Sequence, residues 1–219
     1  MENKDKRSLI LLLALADGCL HYIKSNGKLY GGITIDHGIE QADYQKWKAE
    51  LLSKIANKDV VVRSGHKGGS VQVSLCMKRI RAWRKFTYPN GKKSIPKLLK
   101  FIRHIELALS VMIMDDGYVE INGNKNGAKF RLFLCDQTNE ELQLIIKWFQ
   151  DNFKVLPTIK YQNNNKTKKI YPYLKLNSED TLIIWKIIRD FVLTFKSMRH
   201  KFRNVEKSYQ FKISQRMTS

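Results

Sequence analysis

Acidic residues are missing from two long stretches of this chain. None occurs between positions 60 and 105 or between 152 and 178. The first window nevertheless carries Arg63, Lys67, Lys78, Arg79, Arg81, Arg84, Lys85, Lys92, Lys93, Lys97, Lys100 and Arg103, and the second Lys154, Lys160, Lys166, Lys168, Lys169 and Lys175. Solubility needs charge but does not require acids to be removed from whole windows; a surface that meets a polyanion does. Cysteine is scarce as well: Cys19, Cys76 and Cys135 are odd in number and lack metal-ligand spacing. His21, His37, His66, His104 and His200 form no i, i+4 pair, so nothing points to zinc. No apolar run reaches the ~18–20 residues of a membrane span, and residues 1–7 are polar, without the apolar region of a signal peptide. These absences lead us to expect an intracellular, reduced protein that does not enter membranes.

Forty Lys and Arg stand against twenty Asp and Glu, a formal net charge of +20, the electrostatic footprint of a nucleic-acid binder. The 43% apolar content is ample for one domain or two small ones. Two apolar runs each close on an acid and a glycine, half a chain apart: residues 9–16 before Asp17-Gly18, and 107–114 before Asp115-Asp116-Gly117. A helix ending on a carboxylate is unusual, because its unpaired C-terminal carbonyls already carry partial negative charge and disfavour an anion by roughly 0.3–1 kcal/mol. Something cationic should compensate. An ordinary core helix whose glycine supplies a left-handed cap gives the same pattern. In a duplicated unit, however, symmetry brings the two ends together, and two neighbouring carboxylates share a proton or a divalent ion.

The rest of the chain repeats in the same order. A hairpin over 20–36, turned at Ser25-Asn26-Gly27, is answered by one over 118–135, turned within 122–127. Helical spacing of Tyr44, Trp47, Lys48, Leu51, Leu52 and Ile55 predicts a helix over 41–55, and Leu142, Ile145, Ile146 and Phe149 predict one over 139–153. Thr138 and Glu141 form a capping box at the start of the second. Second hairpins follow, over 60–75 around 65–69 and over 155–176 around 163–166, and then closing helices over 77–85 and 178–195. Each half thus reads α-β-β-α-β-β-α.

Strand alternation gives each sheet an apolar and a polar face. Val71, Val73 and Leu75 oppose Ser70, Gln72 and Ser74, while Ile33 and Ile35 oppose Gly32, Thr34 and Asp36. Phe130, Leu132 and Leu134 oppose Lys129 and Arg131, and Leu174 and Leu176 oppose Tyr171, Tyr173 and Lys175. A half-solvated antiparallel sheet alternates by default. Joined to the missing acids, the pattern points to sheet faces lying in a major groove and reading base edges. The candidate contact residues are Thr34, Arg63, Lys67, Ser70, Gln72 and Ser74, and Lys129, Arg131, Lys160, Lys169, Tyr171, Tyr173 and Lys175.

The segments Ile10-Leu11-Leu12-Leu13-Ala14-Leu15-Ala16-Asp17-Gly18 and Leu109-Ser110-Val111-Met112-Ile113-Met114-Asp115-Asp116-Gly117 resemble the two motifs of a monomeric LAGLIDADG homing endonuclease of the intron-encoded type. The stretch from Pro89 to Pro96 resembles the family's Asn-x-Lys-Lys-x-Ile-Pro, and Ser197-Met198-Arg199-His200-Lys201 resembles its Met-x-Tyr-Lys. The resemblance implies an α+β fold of two pseudo-symmetric αββαββα half-domains with saddle-like antiparallel sheets and the motif helices side by side. It implies a first repeat over 8–88, a linker over 89–103, a second repeat over 104–202 and a basic tail over 203–219. Asp17 and Asp116 would bind Mg²⁺, with Asp115 in support, and Lys93 and Lys201 would position solvent or stabilise charge. The implied activity is site-specific cleavage of both strands of a long DNA target, leaving short 3′ overhangs. Glycine is usual at the third motif position, where this chain has Leu12 and Val111, so close helix packing would rest on Ala14, Ala16, Ala108 and Ser110. The same fold would also serve an RNA-binding maturase acting on its own intron, or a DNA binder that does not cut. The expected compartment is intracellular, either an organelle (mitochondrion or chloroplast) or a bacterial or phage cytoplasm.

Overall fold

Two sheets with the same internal order arise from the two sets of alternating strands. The computed structural model describes residues 1–65, 69–121, 127–134, 137–163 and 169–217. The first half runs α1 (Asn3–Leu13), β1 (Cys19–Ser25), β2 (Lys28–Gly38), α2 (Ala42–Ala56), β3 (Arg63–Ser64), β4 (Ser70–Met77) and α3 (Ile80–Thr87). After α4 (Ile95–Leu99) the series repeats as α5 (Ile105–Asp116), β5 (Gly117–Ile121), β6 (Ala128–Leu132), α6 (Asn139–Phe153), β7 (Thr158–Asn163), β8 (Ile170–Lys175) and α7 (Ser178–Leu193), followed by α8 (Arg199–Met217). The strand orders are β1-β2-β4-β3 and β5-β6-β8-β7, every neighbouring pair antiparallel. Both halves are therefore αββαββα.

The chain divides into two compact units, Met1–Val111 with Phe195–Ser197 and Met112–Thr194 with Met198–Ser219, the division falling within α5. The stretch 89–103, expected as a linker, is structured and lies within the first unit. It holds a 3-10 turn at Pro89–Gly91 and then α4, and its apolar Ile95, Leu98, Leu99 and Ile102 are buried within the first unit. The basic tail is helical and packed through its first turns: α8 buries Phe202 and Val205, and the Phe202 ring stacks on Trp185 of α7 at 5.4 Å. Glu206 then accepts from Trp185 Nε1 at 2.8 Å and from the Arg189 guanidinium, which holds its carboxyl down at about 2.

In the first unit Ile33, Ile35, Val73 and Leu75 line the inner face of the sheet, under α2 and α3. The hairpin β1–β2 turns on Asn26 and Gly27, both with positive φ (49° and 71°), the twist that a two-residue connection needs. In the second unit the capping box is present, Thr138 and Glu141 exchanging side-chain to backbone bonds at 3.2 Å each. Some expected helix boundaries shift. Met77 pairs with Gly31 as the last residue of β4, so α3 begins at Ile80 rather than 77; and α7 ends at Leu193 rather than 195. The expected loops at 65–69, 122–127 and 163–166, and Cys135, lie wholly or partly outside the described residues.

Candidate functional site

In the first unit α1 ends at Leu13 and the chain turns through Ala14 to Asp17 before entering β1. Gly18 is required there for space and not for handedness. Its φ is not positive, but a Cβ on it would collide with the Leu13 carbonyl oxygen. This close approach leaves Asp17 projecting, with 39% of its side chain exposed. The expected compensating cation is Lys93, just ahead of α4: its ammonium donates to the Ala16 carbonyl and, at 2.9 Å, to that of Gly18. Positive charge thus sits on the carbonyls that would otherwise repel the acid.

Asp17 has a second neighbour that the pattern of residue types did not suggest. His37 Nδ1, from the end of β2, lies 3.5 Å from Asp17 Oδ2, and Lys48 Nζ lies 2.7 Å from His37 Nε2. Lys48 is 0% exposed, its ammonium 4.3 Å from the centroid of the Tyr44 ring. An ammonium has donors only, so Nε2 must accept, and the ring proton stands on Nδ1 facing Asp17. The signal was in the sequence: Lys48 interrupts the apolar stripe of α2, where a lysine is buried only with partners.

In the second unit α5 carries Asp115 and Asp116 to its last turn, both half-buried. Gly117 repeats the steric argument against the Ile113 carbonyl oxygen. The left-handed cap is therefore absent from both motifs. Lys201, at the start of α8, donates to the Met114 carbonyl at 2.6 Å and to that of Asp115 at 3.4 Å. The Asp116 carbonyl accepts from the Phe133 N–H at 3.1 Å, fixing the junction to β5. Among the described residues no histidine–lysine pair takes the corresponding place. The positions matching His37 and Lys48 are Leu134 and Ile145, both buried and apolar.

Register places the candidate contact residues on shared faces. In the first sheet Thr34 pairs with Ser74, Gln72 with both Asp36 and Arg63, and Ser70 with Gly38, so Thr34, Arg63, Ser70, Gln72 and Ser74 face one way. Lys67 lies outside the described residues. In the second sheet Arg131 pairs with Lys175, Lys160 with Tyr173 and Gln162 with Tyr171, and Lys129, opposite Glu120, joins them; exposed Lys169 immediately precedes β8. Tyr173 departs from expectation. It is only 7% exposed, because Phe133 at 5.3 Å and the Arg131 guanidinium at 5.2 Å cover its ring.

Each polar face also holds an acid engaged with a candidate. Asp36 Oδ1 accepts from Gln72 Nε2 at 2.8 Å. Glu120 takes a forked pair of bonds from Arg131, through Nε at 3.0 Å and through Nη2, and lies 2.6 Å from Lys175 Nζ. Hydrogen bonds from Arg131 outweigh the loss of water and hold the Glu120 carboxyl down at about 2. Glu120 lies on β5, outside the acid-free windows, and only the outward parity of Tyr118 and Glu120 around Val119 marked it.

The profile of the LAGLIDADG DNA endonuclease family matches residues 7–184. Among solved structures the chain is similar to the homing endonuclease I-WcaI bound to its DNA recognition sequence, at 19% identity over 91% of this chain and 86% of that one, with a TM-score of 0.63. It is similar to I-DmoI in complex with DNA and Ca, at 15% identity over 87% and 91% with a TM-score of 0.52. It is similar also to the LAGLIDADG homing endonuclease I-GzeII in complex with its DNA target, at 10% identity over 95% and 91% with a TM-score of 0.54. At these identities the likeness is one of fold. No curated protein matches the chain.

Proposed function

Because the chain belongs to the LAGLIDADG DNA endonuclease family, we propose that it is a site-specific endonuclease that hydrolyses both strands of a long double-stranded DNA target with a divalent ion, Mg²⁺, and leaves short 3′ overhangs. The observation that carries this reading is the lysine at the end of each motif helix, Lys93 on the Ala16 and Gly18 carbonyls and Lys201 on those of Met114 and Asp115. A protein that only bound DNA would gain nothing from carboxylates close to phosphates. Here each is retained and given a cation.

Asp17 would hold an ion in the first unit and Asp116 one in the second. Carboxylate oxygens suit a hard cation, and His37 beside Asp17 is an outer partner of the kind that orients metal-binding groups. When bound, the ion supplies an acidified water and charge neutralisation on the phosphoryl oxygens. The chain's own part follows from its geometry. Lys93 and Lys201 set a fixed positive charge beside each acid, where negative charge grows during in-line displacement. The basic sheet faces, on a chain of net charge +20, hold the duplex through its backbone while their polar side chains meet base edges. Each unit, carrying one acid and one lysine, serves one strand.

The test is to incubate the purified chain with Mg²⁺ and a DNA library and sequence the ends. A single enriched double-strand break, absent with Asp17→Asn or Asp116→Asn while binding in Ca²⁺ persists, is expected. No enriched break from the unaltered chain overturns the reading, and loss of binding together with cutting shows the acids to be structural.

A further inference from the structure

Glu120 is out of place on a face that meets a polyanion. If Arg131 and Lys175 gripped phosphates, an acid between them would cancel part of the attraction and weaken binding. Its geometry is also specific. The residue directly opposite Glu120 on β6 is Lys129, yet the carboxylate reaches the diagonal neighbour Arg131 and, beyond it, Lys175 on β8. Arg131 and Lys175 are themselves a directly opposed like-charged pair, which is unfavourable without an anion between them.

The atoms used decide what remains. Arg131 gives Glu120 its Nε and Nη2 donors, the side edge of the guanidinium. The plane is rigid, so the end edge, Nη1 with the second Nη2 hydrogen, points away from Glu120. Tyr173 braces the plane at 5.2 Å and is itself nearly buried, and 22% of the Arg131 side chain is exposed. An arginine end edge offers two parallel donors, the match for the O6 and N7 acceptors of guanine in the major groove. The first unit has an arrangement of the same kind. An ionised aspartate can only accept, so Asp36 fixes Gln72 with Nε2 towards it and Oε1 directed elsewhere.

We propose that Glu120 is a specificity-positioning residue: it holds Arg131 so that the end edge of the guanidinium reads one guanine of the target. The inference rests on the DNA-recognition reading above and names what this part of the surface recognises. Glu120 does not touch the base, and removing it frees the guanidinium to rotate towards phosphates. The target then gains general affinity and loses discrimination at one base pair.

The experiment is binding selection from a randomised DNA library in Ca²⁺ with the full chain, comparing the unaltered protein with Glu120→Gln, Arg131→Lys and the double variant. The unaltered chain should require guanine at the position read by Arg131, by about tenfold or more over other bases. Glu120→Gln should flatten that same position while others keep their preference, and its binding should grow more salt-dependent. Arg131→Lys, which keeps the charge and loses the paired donors, should flatten the identical position. The double variant should add nothing further there. A change spread evenly over all positions, or flattening at different positions in the two single variants, overturns the proposal and leaves Glu120 as a charge-balancing residue. A library from which the unaltered chain enriches nothing overturns the proposed function itself and the inference with it.

Discussion

The Lys201 ammonium lies 2.6 Å from the Met114 carbonyl oxygen, on the last turn of the second motif helix. Lys93 makes the corresponding contacts in the first unit. Each lysine therefore has its place set by backbone, before any nucleic acid arrives. If it stabilises developing charge, Lys93→Met and Lys201→Met should each slow cutting of one strand by about 10²–10³-fold. On a supercoiled plasmid carrying the target, nicked circles should accumulate. Linear product forming at the unaltered rate would refute a catalytic role.

Among the described residues, the array of buried Lys48 and His37 beside Asp17 has no counterpart in the second unit, where Leu134 and Ile145 stand at the matching positions. Methionine at position 48 fills a similar volume without a buried charge, so Lys48→Met should fold. Losing the outer partners of a metal ligand typically costs 10–100-fold in metal affinity. The strand cut by the first unit should accordingly need about 10–100 times more Mg²⁺, and the other strand an unchanged amount. Titrating the ion against nicking of each labelled strand separates these outcomes; equal shifts on both strands would contradict the assignment.

Gly18 and Gly117 each pack against a carbonyl oxygen of the preceding turn, with no room for a Cβ. Alanine at either position forces backbone to move, at about 1–3 kcal/mol or more. Denaturant unfolding should show that loss even in urea without metal or DNA, and an unchanged midpoint would mean that the junction relaxes freely.

Glu120 and Glu206 are both held at about 2, below the ordinary 4.5, chiefly by hydrogen bonds from Arg131 and Arg189. A lowered carboxylate contributes stability that is complete above the unfolded value and is lost as pH falls through the folded one. Thermal unfolding between pH 5 and pH 2 should therefore show stability falling across that window, and Glu206→Gln should flatten part of the fall. An equally steep decline in that variant would place the acid sensitivity elsewhere.

Binding strength should drop steeply with salt. With about 8 phosphates neutralised, the log–log slope should be near −7. A slope close to zero in a filter-binding titration would contradict the basic-sheet surface.

Much of the fold was legible because its signals are local. The Asn26-Gly27 turn, the Thr138–Glu141 capping box and the alternation of Val71, Val73 and Leu75 each depend on residues a few positions apart, and all three stand in the structure. At 89–103, which the resemblance implied to be a linker, the burial of Ile95, Leu98, Leu99 and Ile102 is decided by contacts that local pattern does not show. Among the candidate site residues, Asp17 and Asp116 stood out in the repeated motif and took their roles, with Lys93 and Lys201, from the family resemblance, whereas His37, Lys48 and Glu120 were not given roles. Their partners lie on other elements.

The linear order of residues was enough to determine the duplication, the element series, the two faces of each sheet and the need for a cation at each acid-terminated helix, since these follow from periodicity and from the partial charge at a helix end. Tertiary structure alone decided which cation answers which carbonyl, that Lys48 is buried against His37, that Tyr173 is covered and that Glu120 holds Arg131 and Lys175. Those outcomes depend on contacts within about 3–4 Å between distant parts of the chain, and such distances exist only once strands have paired and helices have packed.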